Sequence, residues 1–454
     1  MPESPDEYSD RSVLFEKYES IAAPLLAGLA LFVAAHDPAT IYPSTVLEPW
    51  GGGWIAPLLA LANLVLWFGL APLSVKREAI LRITQIPVVP AIAGAFFIVY
   101  GFGYASAVHA PITLWGQLVV SCAATTLLSY FIFRQQGAGR PLFLGLTLGG
   151  IGICVEALIH LFSRVETTNQ LIAFTGNRMA SGDPYLANRL GNGALPYPTL
   201  LVSPLLVFAS ITLGLTVVEK RLPIRVLAIL AYLVNAVCMW LTASRGGVIL
   251  LLLLSLSHLG ISAIGPRKNV GSNKSLAGFA AAAIVLLSGF VLKLGLTKGS
   301  VLRADGSLSS RVQMWRVCWH IFKQNPITGG GPGAFKEAWL AASRKTGYPA
   351  YVVPHSLYFG ILSEGGLMLF AGAAALFVSM VWETWRAVRS PIHADDRRLL
   401  LAFGIGILAV LVHDLNENSF QMHAMYLLSC TFAGMATGIS LRGRQLPAEP
   451  ILVV

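Results

Sequence analysis

Arginines are the residues in this sequence whose type and placement most directly suggest chemistry. Arg164, Arg178 and Arg189 fall in a polar stretch at 164–196. Arg245 sits in the short turn near 243–246, and 297–355 carries eight basic residues, among them Arg303, Arg311 and Arg316. A guanidinium is always charged and offers a rigid fork of donors that fits a phosphate or carboxylate. An anionic ligand would account for all three groups at once. In the longest segment, Thr328-Gly329-Gly330-Gly331-Pro332-Gly333 reads as a flexible turn whose N–H groups could approach a phosphate closely. Pro354-His355 follows and opens a helical stretch that includes Glu364, Gly365 and Gly366. Asp414, Glu417 and His423 cluster at a helix end, but their spacing matches no metal-ligand set and reads as a solvated helix terminus. The five cysteines form no CxxC pair and four lie in apolar runs, so neither a disulfide framework nor a zinc site is indicated.

The elements that must position these residues are transmembrane helices. Of 454 residues, 55% are hydrophobic and 12% charged, whereas a soluble chain carries about 25% charged residues. Apolar runs appear near 21–36, 54–74, 86–104, 111–133, 141–163, 197–218, 223–242, 246–265, 275–296, 366–383, 399–414 and 422–440. Spanning helices need about 20 residues each, so the expected fold is an all-α polytopic transmembrane bundle of about 12 helices. The net charge of +10 does not point to nucleic acid, because the charges sit in short loops between apolar runs.

With the N-terminus cytoplasmic, Lys76, Arg77, Arg82, Arg134, Arg140, Lys220, Arg221, Arg225, Arg267, Lys268, Lys274, Arg386, Arg389, Arg397 and Arg398 all fall on the cytoplasmic side. The opposite loops at 37–53, 105–110 and 415–421 hold no Lys or Arg. That alternation obeys the positive-inside rule. It predicts a cytoplasmic tail at 1–20, helices over 21–296, a large periplasmic loop with amphipathic helices at 297–365, helices over 366–440, and a cytoplasmic tail at 441–454. The acidic, polar N-terminus does not read as a cleavable signal peptide. Within the loop, Val312, Trp315, Cys318, Trp319 and Phe322 recur at helical spacing behind Ser309-Ser310, as in a helix lying on the membrane surface. Asn325-Pro326 ends it. Long segments cross the membrane whatever their charge, which covers the loop arginines but not Arg245.

In chain order the residues are Arg189-Leu190-Gly191 with Pro198, then Thr242-Ala243-Ser244-Arg245-Gly246, then Arg311 with Trp315. Asn325-Pro326, Gly329-Gly330-Gly331-Pro332-Gly333-Ala334-Phe335, His355-Ser356-Leu357 and Glu364-Gly365-Gly366 complete the series. This pattern resembles the O-antigen ligase and O-antigen polymerase family of bacterial envelope glycosyltransferases, over roughly residues 180 to 370. Ser356 stands where the family usually has Asn, and Thr199 where it often has Asn, so each position keeps a polar group.

The resemblance implies an inner-membrane enzyme that transfers a polyprenyl-pyrophosphate-linked glycan on the periplasmic face. The acceptor would be another lipid-linked glycan (polymerase) or a lipid A core (ligase). It implies inverting transfer with no cofactor and no metal. In that reaction His355 would be the base for the acceptor hydroxyl. Arg245 and Arg311 would hold the pyrophosphate as its charge grows. Arg189, Arg178, Arg316, Gly331 and Glu364 would line the substrates, with Glu364 orienting His355 or lining the acceptor site. Plainer readings stand beside these. Arg245 could cap a helix, Arg189 could pair with Asp183, Arg311 could anchor in headgroups, His355 could merely start a helix, and Glu364 could be a bundle hydrogen-bonding group. A transporter or flippase for an anionic solute is the alternative function, but it would place its ionisable residues near the midplane and show repeats. Neither appears in the sequence.

Overall fold

A computed structural model describes residues 13–36, 55–73, 75–77, 112–133, 139–163, 198–242, 244–263, 305–331, 333–346, 354–390, 392–418 and 423–445. Secondary structure among the described residues is helical. After a π-helical turn at Tyr18–Ala22 come α1 (Ala23–His36), α2 (Ile55–Leu70), α3 (Ile112–Ile132), α4 (Gly139–Ser163), α5 (Pro198–Val218), α6 (Leu222–Leu241) and α7 (Arg245–Ala263). They are followed by α8 (Asp305–Gln324), α9 (Ala334–Thr346), α10 (Leu357–Arg389), α11 (Ala394–His413) and α12 (His423–Gln445). Among the described residues, six helices are long and apolar enough to cross a membrane, and Ile55–Leu70, Val119–Ile132 and Arg245–His258 are shorter apolar helices. The chain is an all-α polytopic membrane bundle. The expected runs at 86–104 and 275–296 lie outside the described residues.

Helix α5 is the axis of the bundle. It carries no charged residue and is apolar all round, as a helix enclosed by other helices must be. Its Leu201, Val202, Leu205, Leu206, Phe208 and Ile211 are fully enclosed or nearly so. Helices α4, α6, α7 and α11 surround it. Elsewhere small residues let helix backbones touch. A side chain at Gly145 would strike the carbonyl of Pro24, and one at Gly149 the carbonyl of Gly28, so α1 and α4 cross in direct contact.

One end of the bundle is tied by ion pairs. Asp395 meets Arg140 and, at 3.4 Å, Arg398, while Asp396 meets Arg442 at 2.6 Å. Arg442 also donates to the carbonyl of Phe133. These contacts join α3, α4, α11 and α12. The other end carries the start of α7, helices α8 and α9, the start of α10 and the turn after α11, where the candidate site lies.

The structure extends two sequence readings. Helix α10 begins at Leu357, so the short apolar stretch 356–365 is the first part of a long helix. That helix breaks at Gly366, where φ is 61° and ψ is −160°. Helix α8 starts at Asp305, ahead of Ser309-Ser310, and ends at Gln324 just before Asn325-Pro326. Its buried stripe is Met314, Cys318 and Ile321, packed on Phe335 and Trp339 of α9. Trp319, expected on that stripe, is instead 47% exposed.

Candidate active site

Local sequence sets each part of the site before packing brings the parts together. The turn between α6 and α7 is held by its own hydroxyls. The Thr242 hydroxyl donates to the Met239 carbonyl and accepts from the Ser244 N–H, and Ser244 accepts from the Gly247 N–H at 3.2 Å as the helix cap. Arg245 therefore opens α7 as an exposed residue at its positive end. Gly246 faces His413 at the end of α11.

The turn after α8 uses glycine for a stated reason. Gly329, Gly331 and Gly333 have φ of 69°, 86° and 78°, a region that side chains disfavour. The break in α10 at Gly366 leaves backbone groups without helical partners, and this turn satisfies them. Gly330 N–H donates to the Ser363 carbonyl at 2.8 Å and Gly331 N–H to the Glu364 carbonyl at 3.1 Å. In return Leu367 and Met368 N–H donate to the Pro326 and Ile327 carbonyls. Gly329 N–H donates to the Asn325 carbonyl. The turn is a backbone splice between α8 and α10, and the N–H groups of Gly329, Gly330 and Gly331 are committed to carbonyls. The expected phosphate cradle is not available from them.

His355 is the one non-glycine residue with positive φ, 45°, among the described residues. A left-handed conformation in a bulky residue costs on the order of 1–3 kcal/mol and persists only where the surroundings enforce it. Here the next N–H but one, that of Leu357, donates to both the Asp414 carbonyl at 3.1 Å and the Glu417 carbonyl at 3.0 Å. The Ser356 hydroxyl caps α10 by accepting from Phe359 N–H. The strained residue is thus pinned between the α10 cap and the turn that follows α11.

Glu417 is the centre of the arrangement. Its Oε1 accepts from Arg311 Nη2 at 2.7 Å and its Oε2 lies 3.0 Å from His355 Nδ1. The residue is 2% exposed. Burial opposes its ionisation, but the His355 charge and hydrogen bond, with the charges of Arg311 and His413, outweigh burial and hold the carboxyl down to about 2. His413 lies beneath, 3.1 Å from the Ser203 hydroxyl of α5. Above, Trp315, one turn along from Arg311, stacks flat on Phe359 at 5.5 Å and fixes α8 against the first turn of α10.

The structure therefore joins Arg311 and His355 through one carboxylate and sets the start of α7, with Arg245, beside His413. Arg316 is exposed on α8, about 140° around the helix from Arg311 by helical periodicity. Glu364 is 6% exposed, and its carbonyl serves the splice. The Glu417 carboxylate lies 3.0 Å from His355 Nδ1. Arg178 and Arg189 lie outside the described residues. The reading of Asp414 and Glu417 as a solvated helix end is overturned, since they are 0% and 2% exposed. The side chain of His423 lies outside the described residues. The one sequence signal for Glu417 was an acidic residue in an outer loop otherwise free of Lys and Arg. Among the described residues no group of three or more His, Cys, Asp or Glu could hold a metal ion.

A strained histidine and a guanidinium gathered on one ionised, buried carboxylate are the kinds of group that acid–base chemistry beside an anion would use. Residues 228–374 match the O-antigen ligase family. The matched stretch runs from α6 into α10 and holds Arg245, Arg311 and His355, while Glu417 lies beyond it. The O-antigen ligase match supports the family relationship indicated by the Arg311-to-Glu364 block, and with the spanning helices it supports a multi-pass bacterial membrane protein engaged in glycan ligation. No curated protein matches the chain in sequence.

Proposed function

We propose that the protein is a membrane glycosyltransferase that moves a glycan from a polyprenyl-pyrophosphate carrier to an acceptor glycan on the periplasmic face, as a polymerase or a ligase. The observation that carries this reading is the shared carboxylate of Glu417, which holds Arg311 and His355 together at 2.7 and 3.0 Å.

The chemistry follows from the geometry. A neutral His355 that donates its Nδ1 proton to Glu417 carries its lone pair on Nε2, where it can take the proton of the acceptor hydroxyl. Ionised Glu417 then stabilises the imidazolium that forms. The acceptor oxygen attacks the anomeric carbon as the bond to the pyrophosphate oxygen breaks, and attack from the opposite side inverts that centre. The leaving pyrophosphate gains negative charge. Arg311 and Arg245, with Arg178 and Arg189, hold it, which stabilises the transition state more than the ground state. Guanidinium groups in this role make a divalent cation redundant. Arg316 and Glu364 would line the path of the glycans.

The test is a reconstituted assay with purified full-length protein, a polyprenyl-pyrophosphate-linked glycan, and either a second lipid-linked glycan or a lipid A core as acceptor. Product should form in excess chelator. His355→Ala should lower turnover by a factor on the order of a hundred or more if His355 is the base, with donor binding little changed. Wild-type turnover in His355→Ala refutes the base assignment, and loss of activity in chelator restored by Mg²⁺ refutes the metal-free mechanism. The acceptor that is consumed distinguishes polymerase from ligase.

A further inference from the structure

The far end of α10, remote from His355, carries a surface that the transfer reaction does not use. Val378 and Val381 are 68% and 69% exposed, and Trp382 and Trp385 are 48% and 44% exposed. All four fall on one stripe of the helix, at offsets of three, four and seven residues. The two indoles stack on each other, with centroids 5.0 Å apart and planes 22° from parallel. Each carries a guanidinium over its ring one turn further on. Arg386 lies 5.1 Å from the Trp382 centroid and Arg389 lies 4.2 Å from the Trp385 centroid. From Val378 to Arg389 the stripe rises about 17 Å, close to the depth of one leaflet's hydrocarbon and interface. Along that rise it changes from aliphatic to indole to guanidinium.

The charges do not cancel locally. Arg386 shares Glu383 at 3.2 Å, and Arg389 is exposed beyond it. Helix α11 adds Arg397, whose Nη2 donates to the carbonyl of Ser390, the residue after Arg389. The Arg397 Nε is buried and makes no hydrogen bond. A guanidinium held over an indole can still present N–H groups to an anion.

We infer that this stripe is a binding site for one phospholipid with a net anionic headgroup. Its phosphate would lie on Arg386 and Arg389. Its glycerol region would pack on Trp382 and Trp385, and its acyl chains on Val378 and Val381. Phosphate oxygens suit guanidinium forks, and the indole belongs at the boundary between headgroup and acyl chain. A zwitterionic lipid would bring its own cation into an already cationic patch, so the surface selects for net negative charge.

The test uses delipidated full-length protein in detergent and native mass spectrometry with phosphatidylglycerol and phosphatidylcholine of matched chains. Wild type should retain phosphatidylglycerol in preference, less so as salt rises. Arg386→Gln with Arg389→Gln should weaken phosphatidylglycerol roughly thirtyfold, from the typical contribution of a basic residue near an anionic membrane surface, and leave phosphatidylcholine unchanged. Arg389→Gln alone keeps the Arg386–Glu383 contact and is the second variant if the double one melts early. Equal retention of the two lipids by wild type would make the stripe an ordinary apolar annulus and overturn the site. So would unchanged phosphatidylglycerol affinity in both variants, or a dimer that these variants dissociate.

Discussion

Replacing Glu417 with Gln tests the centre of the candidate site while keeping its shape. The carboxylate presents one oxygen to Arg311 at 2.7 Å and the other to His355 Nδ1 at 3.0 Å. An amide has one oxygen and one NH₂. If the oxygen faces Arg311, the NH₂ faces Nδ1, which must then carry the lone pair, and the proton moves to Nε2 where the base is needed. If the oxygen faces His355, the NH₂ meets the Arg311 guanidinium donor to donor. The second arrangement loses a charge-assisted hydrogen bond of roughly 1.5–3 kcal/mol. The first leaves the wrong tautomer, which in a hydrolase triad costs about 10⁴ in turnover. Glu417→Gln should therefore lose between about 10² and 10⁴ in turnover, with donor binding less affected. Glu417→Asp keeps the charge but cannot reach both partners, and should fall between the two.

The same variant has a pH signature. The Glu417 carboxyl is depressed from 4.5 to about 2 in the folded protein, so its contribution to stability is present above about 4.5 and is lost as pH falls towards 2. The depression corresponds to on the order of 3 kcal/mol. Wild type and Glu417→Gln should differ in melting temperature at neutral pH and converge in strong acid. Wild-type turnover in Glu417→Gln, measured as release of polyprenyl pyrophosphate from folded protein, would refute the reasoning.

Four further outcomes are expected. Arg311→Ala should abolish product and also lower the melting temperature, because it leaves Glu417 buried with one partner fewer. Arg245→Ala should abolish product alone, and Lys at either position should restore activity only in part; full activity of either Ala variant in the reconstituted assay removes that residue from the site. Gly366→Ala should destabilise by about 2 kcal/mol or more, since φ and ψ of 61° and −160° are open essentially to glycine and a side chain there strikes the Ile327 carbonyl; an unchanged melting curve would show that the splice does not hold the two helices. In a background without native cysteines, a reagent applied from the periplasmic side should label Cys at position 305 and miss Cys at position 270, and the reverse would invert the topology.

The sequence by itself determined the fold class and named several residues of the candidate site. Apolar runs of spanning length can satisfy their backbones in lipid only as helices. Arg245, Arg311 and His355 stand out because charge and a titratable ring are costly where they sit. The glycines of 329–333 were legible as a turn, while Gly366 read as part of a helical stretch. The purpose of the turn was not legible, because a glycine-rich loop looks the same whether it cradles a phosphate or caps a broken helix. Only the tertiary structure showed that Gly330 and Gly331 donate to α10. Glu417 was the larger surprise. It lies 62 residues from His355 and 106 from Arg311, and in sequence an acidic residue past a helix end reads as solvated. Its burial comes from α8 lying over the start of α10, while the turn after α11 closes on Leu357. Local periodicity can say that each helix exists, but which carboxylate ends up between which cations is set by how the helices pack, and that information is spread over contacts no short stretch of sequence contains.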